Sequence, residues 1–168
     1  GNPQITFFKV VYRRHTNFAM EAIEQTWSGD SNGTSGRCTA TISRNGDLIH
    51  RMYLELNSTA SISSASINPA AAAITDVELE IGGQKIDKQT GQWMNTWAML
   101  TEPNPGGQCG DHVDKTGTLF QNMSGMGGVM AAGNGDLVRN FVPLQFWFCR
   151  NPGLALPLIA LQYHEVKV

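Results

Sequence analysis

Apolar and polar residues alternate over short runs along most of the chain, and each run is closed by Gly, Asn, Asp, Ser or Pro. That pattern predicts an all-β sandwich or barrel. Ile5 to Arg13 is the first run, rich in aromatic and β-branched residues. Phe18 to Trp27 follows, with Met20, Ala22 and Thr26 on one face and Ala19, Ile23 and Trp27 on the other. Cys38 to Ser43 and Asp47 to Leu56 flank Asn45-Gly46, a dipeptide that favours positive φ at both centres of a type I′ turn, so a hairpin is predicted there. Val77, Leu79 and Ile81 alternate with Glu78 and Glu80, predicting a strand with one apolar face and one carboxylate face turned to water. Gly82-Gly83 then leads into Gln84 to Lys88 as a second hairpin. Phe141 to Cys149 and Leu158 to Lys167 complete the strands, joined by an Asn151-Pro152-Gly153 turn.

The period changes between Gln89 and Leu100. Trp93, Trp97 and Leu100 fall at i, i+4 and i+7, which predicts one short helix with Thr90 as its N-cap. Ser28 to Gly36, Asn57 to Ala73 and Thr101 to Asp136 show neither period and read as long loops, which in an all-β scaffold form the contact-making surface.

Length and charge narrow the classes. A chain of 168 residues fits one domain that buries its own core. The formal charge is -2 and the basic residues are scattered apart from Arg13-Arg14, so direct nucleic-acid binding is not expected. The longest apolar stretch, Leu154 to Leu161, is broken by Pro157 and is shorter than the ~20 residues of a membrane-spanning helix. Gly1 opens without an initiator methionine and Val168 closes inside an alternation, so a fragment of a longer chain is expected. Cys38, Cys109 and Cys149 match neither a disulfide scaffold nor a metal knuckle, and buried free thiols are expected.

Catalytic and metal constellations do not emerge. His15, His50, His112 and His164 form no HExxH pair, and Cys109, Asp111 and His112 offer one CxxH pair inside a glycine-rich loop. Ser124-Gly125-Met126-Gly127-Gly128 lacks the order of a nucleophile elbow, and no strand and helix flank Gly125 to Gly135 as a phosphate cradle requires. No catalytic residue, metal or cofactor is therefore expected. Asn32, Asn57 and Asn122 each open an N-glycosylation sequon in a predicted loop, a pattern that also arises by chance. Trp27, Trp93, Trp97 and Trp147 suit either a sugar platform or a core or subunit contact.

The opening stretch from Gly1 to Phe18, GNPQITFFKVVYRRHTNF, resembles the N-terminal signature of major capsid proteins from algal viruses and mimivirus-like giant viruses, large icosahedral double-stranded DNA viruses. Ser43 to Ile49, Asp76 to Lys88 and Pro152 to Val168 are similar in the family's order, so the resemblance runs from end to end. It implies a jelly-roll β-sandwich with one short helix and long loops, the first roll of a double jelly-roll subunit, with a second roll after Val168. It further implies a non-enzymatic structural protein: a homotrimer forming pseudo-hexagonal capsomers of an icosahedral virion shell. Copies of itself and minor capsid proteins would be its partners, an inner viral membrane would lie nearby, and assembly would occur in the host cytoplasm. The alternative from the tryptophans is a carbohydrate-binding jelly-roll module, because architecture alone does not fix function. A hydrolase on a cupin-like barrel would need an inward His and carboxylate cluster, which the sequence does not supply.

Overall fold

Antiparallel pairing organises the residues that the structure, a computed structural model, describes: 17–30, 36–57, 68–103, 118–127 and 139–168. The first expected strand, Ile5 to Arg13, lies outside them. In chain order the strands are β1 (Trp27–Gly29), β2 (Cys38–Ala40), β3 (Leu48–Ile49), β4 (Tyr53–Leu56), β5 (Asp76–Ile81), β6 (Gln84–Thr90), β7 (Asn140–Pro143), β8 (Leu156–Pro157) and β9 (Val166–Lys167). The helices are α1 (Pro69–Ala73), α2 (Gly91–Thr101), α3 (Leu119–Ser124) and α4 (Trp147–Arg150), with a 3-10 turn at Pro152–Leu154.

β6 pairs with β5 and β5 with β9. Ala40 and Val168 exchange backbone hydrogen bonds of 2.8 and 3.0 Å, and Ile42 N donates to Val166 O at 2.9 Å. These bonds tie β2 to the free side of β9, so β1, β2, β9, β5 and β6 lie side by side. A second antiparallel set runs along residues 47–56, which pair with β8 through β3 and with β7 through β4. The intervening 144–155 leave the strand line and hold α4 and the 3-10 turn.

The β5–β6 hairpin forms where Gly82-Gly83 predicts it, with φ of +59° and +80° at the two glycines. The Asn45-Gly46 hairpin does not form. β2 pairs with β1 and β9 while β3 pairs with β8, and neither Asn45 nor Gly46 has a positive φ. Partners from distant sequence outcompete the local turn because they bury the apolar sides of Ala40 and Leu156. The two glycines make a matched test. A Cβ on either Gly46 or Gly83 would meet no atom within 4 Å, so only the backbone conformation differs. Gly83→Val should cost about 1–2 kcal/mol and Gly46→Val less than about 0.5, read as shifts in a urea unfolding midpoint. Equal effects would contradict the turn geometry.

Three other expected strands are corrected. Phe18 to Trp27 contributes only its end to β1, and residues 17–26 belong to neither helix nor strand. Phe141 to Cys149 is a strand only to Pro143, after which the chain turns into α4 and buries both Phe146 and Phe148. Leu158 to Lys167 is a series of turns until β9 begins at Val166. Arg44 shapes those turns: its Nη2 donates to Leu161 O at 2.9 Å and to His164 O at 3.1 Å.

α2 forms as predicted, with Thr90 Oγ1 accepting from Trp93 N at 3.1 Å. The expectation of one helix is too low, because α1, α3 and α4 form as well. The buried face of α2 is Gly91, Met94 and Ala98, not the Trp93, Trp97 and Leu100 stripe. Small residues let α2 approach α1 closely, which leaves the bulky stripe outside. The core gathers Leu79 from β5, Met94 from α2, Met126 after α3, Val142 from β7, and Phe146 and Phe148 around α4, all without solvent exposure.

Candidate assembly surface

Burial sorts the described apolar residues into a core and a set that stays exposed. α2 carries no charged residue, and Trp93, Trp97, Met99 and Leu100 lie on or near its outer side. Leu100 is 76% exposed and Trp97 is half-buried. The Trp93 and Trp97 ring centroids are 5.8 Å apart at a tilt of 42°. Arg150 reaches from α4 and places its guanidinium 4.6 Å from the Trp97 ring centroid, a cation–π contact that joins the two helices. Trp147 packs edge-on against Phe148 at 5.2 Å and stays partly exposed. Large aromatics and arginine are enriched at interface centres.

A second uncovered segment is 17–24, which includes Phe18 and Met20, 76% and 73% exposed. It is pinned at its end, where Gln25 Oε1 accepts from Ser43 N at 2.7 Å, just before β1.

The outer face of the β5–β6 hairpin is ionic. Glu78 was expected to face water, yet its side chain is only 17% exposed. It accepts from Lys85 at 2.7 Å, Arg37 at 3.3 Å and Lys88 at 3.4 Å, and Lys88 also reaches Asp76 at 3.1 Å. The Lys85 hydrogen bond, against partial desolvation, holds the Glu78 carboxyl below the usual glutamate value. A lowered folded-state value stabilises the fold at pH well above the ordinary carboxylate value of about 4.3, and that contribution is lost as the pH falls through the lowered value. Urea midpoints should therefore fall on acidification in the wild type and fall less steeply in Glu78→Gln. Parallel pH curves would argue against the network. Among the described residues β6 pairs on one side only, and Lys85, Lys88 and the bulge opposite Leu79 and Glu80 are features that resist further strand pairing there.

The residues singled out in the sequence do not converge. Asn57 is exposed and its Nδ2 donates to Glu55 Oε1 at 3.2 Å. Asn122 lies on α3 instead of in a loop, with Nδ2 donating to Thr118 O at 3.1 Å and Ser124 of its sequon buried. Asn32, Cys109, His15 and His112 lie outside the described residues. Cys38 and Cys149 are free and half-buried, and burial pushes the Cys149 thiol up, away from reactive thiolate. His50 and His164 are far apart in character: His50 Nδ1 is buried without a partner, while His164 is exposed against Gly82. Among the described residues no group of three or more His, Cys, Asp or Glu is placed to hold a metal ion, and no helix is long and apolar enough to cross a membrane.

Comparison with known proteins places the chain in a family. Residues 6–168 match the family described as Major capsid protein N-terminus. The chain is 54% identical over 171 residues to the major capsid protein of Pyramimonas orientalis virus, a match that covers 100% of this chain and 41% of that protein. It is 46% identical over 173 residues to the major capsid protein of Paramecium bursaria Chlorella virus 1, covering 100% of this chain and 36% of that protein. Among solved structures, a chain of a quasi-atomic model of the PBCV-1 virus capsid superposes with a TM-score of 0.67 at 41% identity, over 96% of this chain and 36% of that one. The chain thus spans no more than 41% of the length of these relatives. Agreement of sequence and backbone over nearly every residue leaves one assignment: the chain belongs to the family of major capsid protein N-terminal regions.

Proposed function

We propose that this chain is the first jelly roll of a double jelly-roll coat subunit, with a second roll following Val168 in the whole protein. The subunit works as a structural component of the virion and catalyses no reaction. Three subunits form a pseudo-hexagonal capsomer, and capsomers tile an icosahedral shell together with minor capsid proteins. The shell surrounds an inner membrane, and assembly takes place in the host cytoplasm without direct contact between this chain and the genome. The observation that carries this reading is the 41% identical backbone match to a chain of a virus capsid. The antiparallel sheet running from β1 to β6 and the uncovered tryptophans support it from the chain itself.

A carbohydrate-binding module is the second reading. The 42° tilt between Trp93 and Trp97, and the Arg150 guanidinium already resting on Trp97, are poor geometry for a flat sugar platform. Sedimentation velocity of the full-length protein tests the first reading. A discrete trimer is expected, while the 168-residue chain alone should associate irregularly through its uncovered apolar surface. A full-length protein that stays monomeric at high concentration would overturn the coat reading.

A further inference from the structure

The Asn45-Gly46 dipeptide is left without the turn that its sequence suggests. A type I′ hairpin would hold both residues at positive φ between two paired strands, and neither condition is met. The dipeptide sits instead in an exposed bend between two anchored points. Before it, Ser43 N donates to Gln25 Oε1 at 2.7 Å, and the Arg44 guanidinium is held by Leu161 O and His164 O. After it, Asp47 O accepts from Leu158 N at 2.9 Å and β3 begins. Among the described residues no hydrogen bond engages the Gly46 N–H or the Asn45 side-chain amide.

That gap sets a nucleophile beside an electrophile. The Gly46 nitrogen and Asn45 Cγ belong to adjacent residues, so local rotation about Asn45 is enough to bring them together, with the advantage of any intramolecular reaction. A side chain on the residue after asparagine obstructs this approach, and glycine has none. Even a Cβ at Gly46 would find no atom within 4 Å, so no described neighbour stands in the way of ring closure.

We propose that Asn45 is a site of spontaneous intramolecular deamidation, with the Gly46 nitrogen as nucleophile. The Gly46 N–H gives its proton to solvent base, the nitrogen bonds to Asn45 Cγ, and Nδ2 takes up a proton and leaves as ammonia. Water then opens the resulting succinimide. Breaking the new bond to Cγ gives an aspartyl residue at position 45, and breaking the original peptide bond gives an isoaspartyl residue. One water is consumed and one ammonia released, with no redox step and no partner molecule. Either product places a carboxylate between Arg44 and Asp47. The isoaspartyl form also lengthens the main chain by one methylene between the Arg44 and Asp47 anchors, next to the β3–β8 pairing.

Peptide mapping by mass spectrometry of the full-length protein, aged under native conditions at physiological temperature, tests this. The peptide carrying Asn45 should gain the mass of NH2 replaced by OH and accept a methyl group from protein isoaspartyl methyltransferase. Conversion should be faster at mildly alkaline than at acidic pH, because the attacking nitrogen must lose its proton. Gly46→Ala has room for its Cβ and needs no positive φ, so it should keep the wild-type melting temperature and lose the conversion. Asn45→Gln, whose longer side chain closes a less favourable ring, should lose it as well. Asn32-Gly33 and Asn134-Gly135 lie outside the described residues and are scored on their own peptides. If Asn45 stays intact in the native protein while a synthetic peptide of residues 41–49 converts, the fold holds the dipeptide out of reach and the proposal fails. Conversion of Asn45 as fast in Gly46→Ala as in the wild type also overturns it, because the glycine would then have no part in the reaction.

Discussion

Gly91→Ala should lower the unfolding free energy by about 3 kcal/mol, although alanine is the better helix former by about 1 kcal/mol in a helix interior. The reason lies outside the helix. Gly91 opens α2 directly against the end of α1, and a Cβ there would stand 2.3 Å from both Ala71 O and Ile74 O. Contacts that short are not found in real structures, and the obstacle is backbone, which cannot swing aside as a side chain can. Gly91 N also donates to Thr75 O at 3.4 Å, so pushing α2 away sacrifices that bond and loosens Met94 and Ala98 in the core. Urea unfolding followed by tryptophan fluorescence would measure the loss. A Gly91→Ala variant as stable as wild type would show that α2 does not sit on α1 in this way.

The other large effect is expected from Phe148→Ala, at about 3–5 kcal/mol. Phe148 has no solvent exposure, stacks on Phe146 at 5.7 Å between ring centroids and receives Trp147 edge-on at 5.2 Å. Truncation removes the transfer energy of the ring, leaves a cavity and cancels two aromatic contacts worth about 0.5–1.5 kcal/mol each. Leu100→Ala is the control. It is a large apolar residue on the exposed side of α2, and its loss should change stability by less than about 0.5 kcal/mol. If Phe148→Ala and Leu100→Ala cost the same, the core has been placed on the wrong side of these helices.

Both predictions fall where sequence pattern is least informative. Phe146 and Phe148 are two apart, as on one face of a strand, yet the chain turns helical at Trp147 and buries both. The Trp93, Trp97 and Leu100 stripe has helical spacing and does form a helix, but spacing cannot say which stripe meets the core. The wider apolar stripe lost because Gly91 and Ala98 allow a closer approach. Two of the unexpected helices did have local signals. Pro69 followed by four alanines is strong helix-forming sequence. Thr118 and Gln121 form a capping box, with Gly125 at φ +64° ending α3. Their setting in Gly-, Ser- and Asn-rich stretches masked both. Arg44, which holds two carbonyls more than a hundred positions away, had no local signal at all.

What can be read from the residues alone is whatever depends on near neighbours. The Gly82-Gly83 turn requires positive φ at two successive positions, and Thr90 caps the helix that starts beside it. The four family-like segments carried membership for the same reason, being contiguous strings whose order needs no folding to be seen. Pairing partners and the direction of each apolar face depend on residues far apart in sequence. Asn45-Gly46 illustrates the difference. Its local preference for a hairpin is smaller than the gain from closing β2 on β9 and β3 on β8, which seals the sheets around Leu79 and Val142. Folding chose the long-range pairs because burial of apolar area outweighs the preference of any one turn.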